Sequence, residues 1–264
     1  MIKFIIKEGV LMIRLSFFDN GEVGELKYFG LGHLIPIIIM GIIIFLIIKY
    51  HEHIRNWRHE PGLRMAMAFV MIIAEMSYFW LKLNPKGSLV PPNVTDHLPI
   101  TVCGWACVFG SFLLLSKNKT LFDINYFWVF AGSINALITP AVITSNGPTH
   151  FRYYQFWIEH TMLFISMIYM IYVHQMRPTW RSMVKSFAAL LVLALIAIYV
   201  NHLLPGANYL FLASVEEGDS ILNVLPTNLG FRLLIMSSII MVMYFIVYLP
   251  WFIKDYKYKK MRLA

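Results

Sequence analysis

The sequence contains few charged residues. Asp, Glu, Lys and Arg make up only 14% of the 264 residues, whereas hydrophobic residues make up 59%, and the mean hydropathy is +0.65. A water-soluble domain of this composition would lack the polar surface needed to cover its core. The shortage of charge therefore excludes an ordinary soluble domain and indicates a chain that folds in a bilayer. Because no long polar insert interrupts the apolar runs, we expect one polytopic membrane domain.

Cysteine is also scarce, and several catalytic motifs are absent. Cys103 and Cys107 are the only two cysteines, and their spacing on one predicted helix makes a poor disulfide framework. The sequence has no Cys-x-x-Cys, His-Glu-x-x-His, Gly-x-Ser-x-Gly or phosphate-binding glycine loop. His51 and His53 have a spacing seen among metal ligands, but we interpret them as solvated residues of a basic loop. No metal and no cofactor are therefore expected.

Seven apolar runs are each long enough to cross the hydrocarbon core, about 30 Å thick, as helices. They lie at about 31–49, 62–83, 98–116, 121–144, 152–174, 183–203 and 231–253. The sequence thus predicts an all-α bundle of seven transmembrane helices over residues 31–253. It is preceded by an N-terminal tail at 1–30 and followed by a basic tail at 254–264. Met12 is an alternative start, and residues 1–11 carry no predicted function.

The distribution of positive charge predicts the orientation of the bundle. Fourteen of the 22 Lys and Arg residues fall in the first, third and fifth loops and the C-terminal tail. By the positive-inside rule, the C-terminus faces the cytoplasm and the N-terminus faces outward. The same rule explains the net charge of +8, so nucleic-acid binding is not expected. The expected location is a cell membrane, the cytoplasmic membrane of a bacterium.

With this orientation, each predicted helix places a polar or ionisable residue in the outer half of the membrane. The residues that could form a polar chamber there, with two from the loop after the sixth helix, are His33, Glu75, Cys103, Asn135, His160, Asn201, Asn208, Tyr209 and Arg232. At about 1.5 Å per residue, Cys103 lies roughly 8 Å deep, and Glu75 and His160 about 12 Å. Ionisable groups at such depth usually face each other or a functional cavity.

Each of these residues also has a purely structural interpretation. A buried cysteine is usually a small hydrophobic residue. Asn135 and Asn201 could form hydrogen bonds between helices, and His33 could be an interfacial histidine. A thiol becomes a nucleophile when a nearby base removes its proton, and His160 is the one histidine at comparable depth on another helix. Cys103 and His160 are therefore the candidate catalytic pair, and the deeper Cys107 is the weaker candidate.

An ordered set of residues resembles a known family. The set runs from His33 and Glu75 through Leu98-Pro99-x-x-x-Cys103, Ala131–Pro140 and His160 to Asn201 with Gly206-Ala207-Asn208-Tyr209. In order and spacing, over about residues 17–250, it resembles the YwaF-type bacterial integral membrane proteins. That family is similar to a eukaryotic seven-helix acyltransferase that moves a fatty acyl chain from phosphatidylcholine to ether lysophospholipids.

The resemblance implies that Cys103 carries the acyl group and that His160 is the base. A common bacterial form of the motif has a histidine where this chain has Thr101. We therefore predict a thiol-dependent acyltransferase or acyl hydrolase acting on phospholipid and lysophospholipid, with no obligate protein partner. Asn135, Asn208, Tyr209 or Arg232 could stabilise the oxyanion, and Glu75 could orient His33 or His160. The alternative is a non-enzymatic carrier or receptor-like protein whose chamber binds a polar solute or lipid headgroup.

Overall fold

The helices of the computed structural model follow the predicted apolar runs. The structure describes residues 17–18, 26–83, 95, 98–140, 147–213 and 226–263. These residues contain seven long helices, one short 3-10 turn and no strand, which confirms the predicted all-α class and the number of helices. In chain order the helices are α1 (Leu31–Asn56), α2 (Glu60–Leu83), α3 (Val102–Ser116), α4 (Lys119–Ile138), α5 (Phe151–Tyr172), α6 (Trp180–Leu203) and α7 (Leu229–Leu263).

Two helix boundaries near prolines differ from the prediction. α3 begins at Val102 rather than at residue 98, because Thr101 caps it: its backbone is extended and its side chain accepts a hydrogen bond from Gly104 N. α4 ends at Ile138 rather than at residue 144. Thr139 precedes Pro140 and leaves the helical region, with φ −129° and ψ 79°, as expected for a residue before proline. Residues 141–146 lie outside the described part of the chain.

α4 is not a uniform α-helix. Its middle section, Trp128–Ser133, is a π-helical turn between the α-helical segments Lys119–Phe127 and Ile134–Ile138. Such turns widen a helix by one residue and often occur at functional sites. This turn carries Ser133 and Ala131 on its buried side.

Five of the seven helices are individually long and apolar enough to span a membrane. They are α1, α4 and α6, with Glu60–Phe79 of α2 and Leu229–Lys257 of α7. α3 has only 15 residues, and α5 lies inside the bundle against α1 to α4. Large apolar side chains such as Ile38, Leu195 and Phe245 remain exposed on the outer helices. Because hydrocarbon would cover these side chains, the surface suits a bilayer rather than water.

Hydrogen bonds between helix ends show that successive helices run in opposite directions. At one end, the start of α1 meets the end of α4, where His33 Nε2 lies 2.7 Å from Leu137 O. The start of α5 joins the same end, because Tyr153 OH donates to Gly32 O at 2.6 Å. We name this the cavity end, since it contains the cavity described below. α1, α3, α5 and α7 begin there, and α2, α4 and α6 end there.

The opposite end is held together by a buried carboxylate. Glu60 Oε1 accepts hydrogen bonds from Arg64 Nε at 3.0 Å, Tyr169 OH at 2.8 Å and His174 Nε2 at 2.9 Å. Arg64 also donates to the carbonyl oxygen of Leu114 at the end of α3. Burial lowers the pKa of the His174 imidazole, against the opposing effect of Glu60. This cluster joins α2, α3 and α5 at the end that carries most of the basic residues; its assignment to the cytoplasmic face stays a prediction.

Candidate active site at the start of α3

A cavity of about 610 Å³ lies at the cavity end of the bundle. Its walls come from α2 to α7 and from the segment 208–212 that follows α6. The volume is within the range of small-molecule sites, about 300 to 1,000 Å³. Six of the nine residues predicted for the site line this cavity, namely Glu75, Cys103, Asn135, His160, Asn208 and Tyr209.

Cys103 is the second residue of α3, one position after Val102 and two after the capping Thr101. Its side chain is half-buried, and its Sγ lies 3.4 Å from Ser133 Oγ on the π-helical turn of α4. The backbone N–H groups of Val102 and Cys103 donate no hydrogen bond to any described residue. The sulfur therefore lies at the positive end of a helix, beside N–H groups that favour negative charge.

His160 lies on α5 and faces the same cavity. Its Nδ1 is 2.9 Å from Phe156 O, and its ring stacks on the Phe156 ring with centroids 4.1 Å apart. Because a carbonyl oxygen only accepts, Nδ1 carries the hydrogen, and the neutral ring keeps Nε2 as an acceptor. Among the hydrogen bonds of the described residues, none joins His160 to Cys103. Their contact in a catalytic complex stays a prediction.

A polar wall adjoins this pair, and most of its residues were missed from the sequence. Gln155 Nε2 donates to Ala74 O at 3.0 Å and to Glu159 Oε2 at 2.7 Å. Arg152 donates to the Gln155 side-chain oxygen, and its guanidinium lies 4.5 Å from the centre of the Tyr78 ring. Glu75, Arg152 and Glu159 line the same cavity. The missed signal is the spacing of Arg152, Gln155 and Glu159, which places these three polar residues on one face of α5.

A comparison with models of protein families shows which family the chain belongs to. A model of the TMEM164 family matches residues 28–249, which include α1 to α6 and most of α7. The chain belongs to the TMEM164 family. No curated protein and no solved structure gives a significant match. TMEM164 is a transmembrane family, and with five apolar helices of spanning length this makes the chain a multi-pass membrane protein.

Three predicted site residues of this TMEM164 family chain do not line the cavity. His33 bonds to Leu137 O through Nε2 and accepts from Phe29 N through Nδ1. The Asn201 side chain bonds to both N and O of Tyr209, and Arg232 donates to Pro226 O and Phe211 O. In this structure all three side chains therefore tie backbone segments together at the cavity end.

Two of the predicted chemical roles have less support from the TMEM164 structure. Both donors of the Asn135 amide point to carbonyl oxygens of its own helix, Ala131 O and Gly132 O, at 3.2 and 3.3 Å. Among the described hydrogen bonds, none joins Glu75 to His33 or to His160. Leu137 O orients the His33 ring, and Phe156 O orients the His160 ring. The N–H groups of Val102 and Cys103, which donate to no described residue, lie at the same helix start as the sulfur and are further candidates. They were missed because the start of α3 was predicted one turn too early.

Cys107 provides a matched comparison within the same helix. It is fully buried, does not line the cavity, and donates from Sγ to Met71 O at 3.2 Å. In this TMEM164 family chain Cys107 thus acts as a packing residue between α2 and α3. The role of Cys103 as the nucleophile stays a prediction.

We expect Gly104→Ala to lower stability, because the glycine lets the Glu75 carboxyl approach α3 closely. A Cβ at residue 104 would lie 2.5 Å from Glu75 Oε1 and 2.8 Å from Thr101 Oγ1. The expected loss is about 1 to 3 kcal/mol, as for overpacking in a core. Thermal unfolding in detergent measures it, with Gly41→Ala as the control. Nothing lies within 4 Å of that Cβ, so Gly41→Ala should be neutral or stabilising. An equal effect of the two substitutions would contradict the close approach.

Proposed function

We propose that the protein is a membrane-embedded lipid acyltransferase or acyl hydrolase in which Cys103 is the nucleophile and His160 the base. One observation carries the proposal. The thiol lines a single cavity that also has ionisable side chains from α2 and α5 and apolar side chains from α6 and α7. A phospholipid has the same division, and its acyl ester lies between the polar and apolar parts.

The two walls come from different helices. The polar wall comes from α2 and α5 and includes Glu75, Arg152, Glu159 and His160. The apolar wall comes from α6 and α7 and consists mainly of aliphatic and aromatic side chains such as Leu190, Met236 and Ile240. In the proposed complex, the headgroup and glycerol face the polar wall. One acyl chain lies along α6 and α7, and the ester carbonyl approaches Cys103 Sγ.

The proposed reaction has two half-reactions. In the first, His160 Nε2 takes the thiol proton, and the sulfur attacks the ester carbonyl carbon. The tetrahedral intermediate collapses with loss of the lysolipid alkoxide, which takes the proton from His160, and an acyl thioester remains on Cys103. In the second, a lysophospholipid hydroxyl or water gives its proton to His160 and attacks the thioester. The sulfur leaves and recovers the proton.

The start of α3 suits the negative charge that develops in both half-reactions. Charge passes from the sulfur to the carbonyl oxygen in the proposed complex. The N–H groups of Val102 and Cys103, which donate to no described residue, are the proposed donors to that oxygen. Donors fixed in place before the reaction are usually the largest electrostatic contribution to acyl transfer. The resemblance to YwaF-type proteins and to the eukaryotic acyltransferase supports the same pair of residues and a phospholipid substrate.

Reconstitution into liposomes tests this function. The full chain is incorporated into liposomes of mixed phospholipids, and a deuterated lysophospholipid is added as acceptor. We expect deuterated diacyl lipid if the enzyme is a transferase, or protein-dependent release of free fatty acid if it is a hydrolase. Mass spectrometry of the extracted lipids measures both. Unchanged lipids across several headgroup classes, in the presence of correctly folded protein, would exclude the proposal.

A second candidate is a carrier or receptor-like protein that binds a headgroup without chemistry. The observation that favours it is the network of Arg152, Gln155 and Glu159, which could hold a polar ligand without any nucleophile. This alternative predicts that the liposome experiment shows bound lysophospholipid and unchanged lipid composition. It also predicts that Cys103→Ala binds lipid as well as the native chain does.

A further inference from the structure

Ser133 is an unusual helical serine. It is fully buried at the end of the π-helical turn of α4. Among the described residues, Cys103 Sγ at 3.4 Å is the one hydrogen-bond partner of its hydroxyl. Its burial leaves the hydroxyl little access to solvent, so the hydrogen bonding of this group depends on its contact with the sulfur.

Ser182 and Ser186 of α6 are buried serines that donate to Asp123 and to Ile124 O on α4. Five other helical serines donate to backbone carbonyls three or four residues earlier in the same helix, a common arrangement for a helical serine. This holds for Ser77, Ser111, Ser116, Ser166 and Ser238. At Ser133 the hydrogen bonds of the π-helical turn join residues five apart instead of four. Its hydroxyl group points across to α3 instead.

The hydrogen-bonding groups of Cys103 and Ser133 are poorly satisfied while the cysteine is neutral. A thiol and a hydroxyl both carry a hydrogen, and thiol sulfur is a weak acceptor. If the thiol donates to Ser133 Oγ, the buried hydroxyl hydrogen has no acceptor among the described residues. Once the thiol proton has left, the hydroxyl donates to an anionic sulfur, and a hydrogen bond to a charged group is among the stronger ones.

We propose that Ser133 is a further catalytic residue, whose hydroxyl group donates a hydrogen bond to the Cys103 thiolate and stabilises it before attack. The thiol proton moves to His160 Nε2, and Ser133 keeps its own proton throughout. When the sulfur acylates, the hydrogen bond is lost; when the thioester is cleaved, it forms again on the departing sulfur. The assignment rests on the proposed function for its role in turnover, but its effect on the thiol does not require turnover.

The rate of thiol alkylation tests this inference without any substrate. The full chain in detergent, carrying Cys107→Ala so that Cys103 is the single thiol, is treated with N-ethylmaleimide at neutral pH. We expect Ser133→Ala to slow alkylation about fivefold. Losing the hydrogen bond lowers the fraction of Cys103 that is thiolate. Each remaining thiolate is more nucleophilic, but this gain is smaller than the loss of thiolate. Mass spectrometry of the peptide containing Cys103 measures the rate.

Ser111→Ala is the matched control, since it removes another buried serine hydroxyl that bonds to a carbonyl and does not touch Cys103. Its alkylation rate should equal that of the parent. Removing the Ser133 hydroxyl also gives the reagent more room, so an unchanged or faster rate in Ser133→Ala would overturn the inference. Slower alkylation together with intact lipids in the liposome experiment would support the role of Ser133 on the thiol and exclude the proposed function.

Discussion

Cys103→Ala is expected to abolish acyl turnover, with a loss of more than about a thousandfold. The reason is that both proposed half-reactions pass through the thioester on Cys103. The assay is the liposome experiment with deuterated lysophospholipid, performed at equal amounts of inserted protein. Binding of phospholipid should survive, because the substitution removes one sulfur atom from a wall of many residues.

Cys107→Ala is the control for this prediction. It removes a sulfur from the same helix, four residues away, but from a buried position between α2 and α3. We expect turnover within about twofold of the native rate and a modest loss of stability, as for a small core truncation. If Cys103→Ala retains turnover, or if the two substitutions reduce it equally, Cys103 is not the nucleophile.

His160→Ala is expected to reduce turnover by about a hundredfold to ten-thousandfold, the usual contribution of a general base. The hydrogen bond from Nδ1 to Phe156 O fixes the ring so that Nε2 is the free acceptor. Losing that acceptor removes the proposed base for the thiol proton. The initial rate of acylation of Cys103, followed in a single turnover, measures the effect directly.

Added imidazole provides the control for His160→Ala. The substitution leaves a space of imidazole size that adjoins the cavity, so free imidazole can enter and accept the proton. We expect partial recovery of turnover that saturates with imidazole concentration, and no recovery in Cys103→Ala. A rate in His160→Ala close to the native rate would assign the base to another residue, with Glu159 and Glu75 as the next candidates on the wall.

Much of this arrangement could be predicted because a bilayer imposes strong rules. Helices must satisfy their own backbone hydrogen bonds in hydrocarbon, so apolar runs of spanning length translate directly into helices. Alternating direction then places Glu75, Cys103 and His160 near the same end, and the structure brings all three to one cavity. Depth along the membrane follows from residue counting alone.

The parts that were missed depend on helix rotation and on local backbone geometry. His33, Asn201 and Arg232 lie at the cavity end of the bundle, but their side chains bond to neighbouring backbone and do not line the cavity. Counting residues along a helix predicts how far along the helix axis a side chain lies, but not the direction in which it points around that axis. Ser133 could not be found either, because its contact with Cys103 arises in a π-helical turn that has no simple sequence signal.

The most direct test of the central claim is detection of the acyl thioester on Cys103. The protein is mixed with phospholipid, quenched in acid during turnover and digested, and the peptide containing Cys103 is analysed by mass spectrometry. We predict a fatty acyl mass on Cys103 that neutral hydroxylamine removes and that His160→Ala accumulates more slowly. Steady turnover with Cys103 unmodified at every time point, or with the acyl group on another residue, would contradict the account.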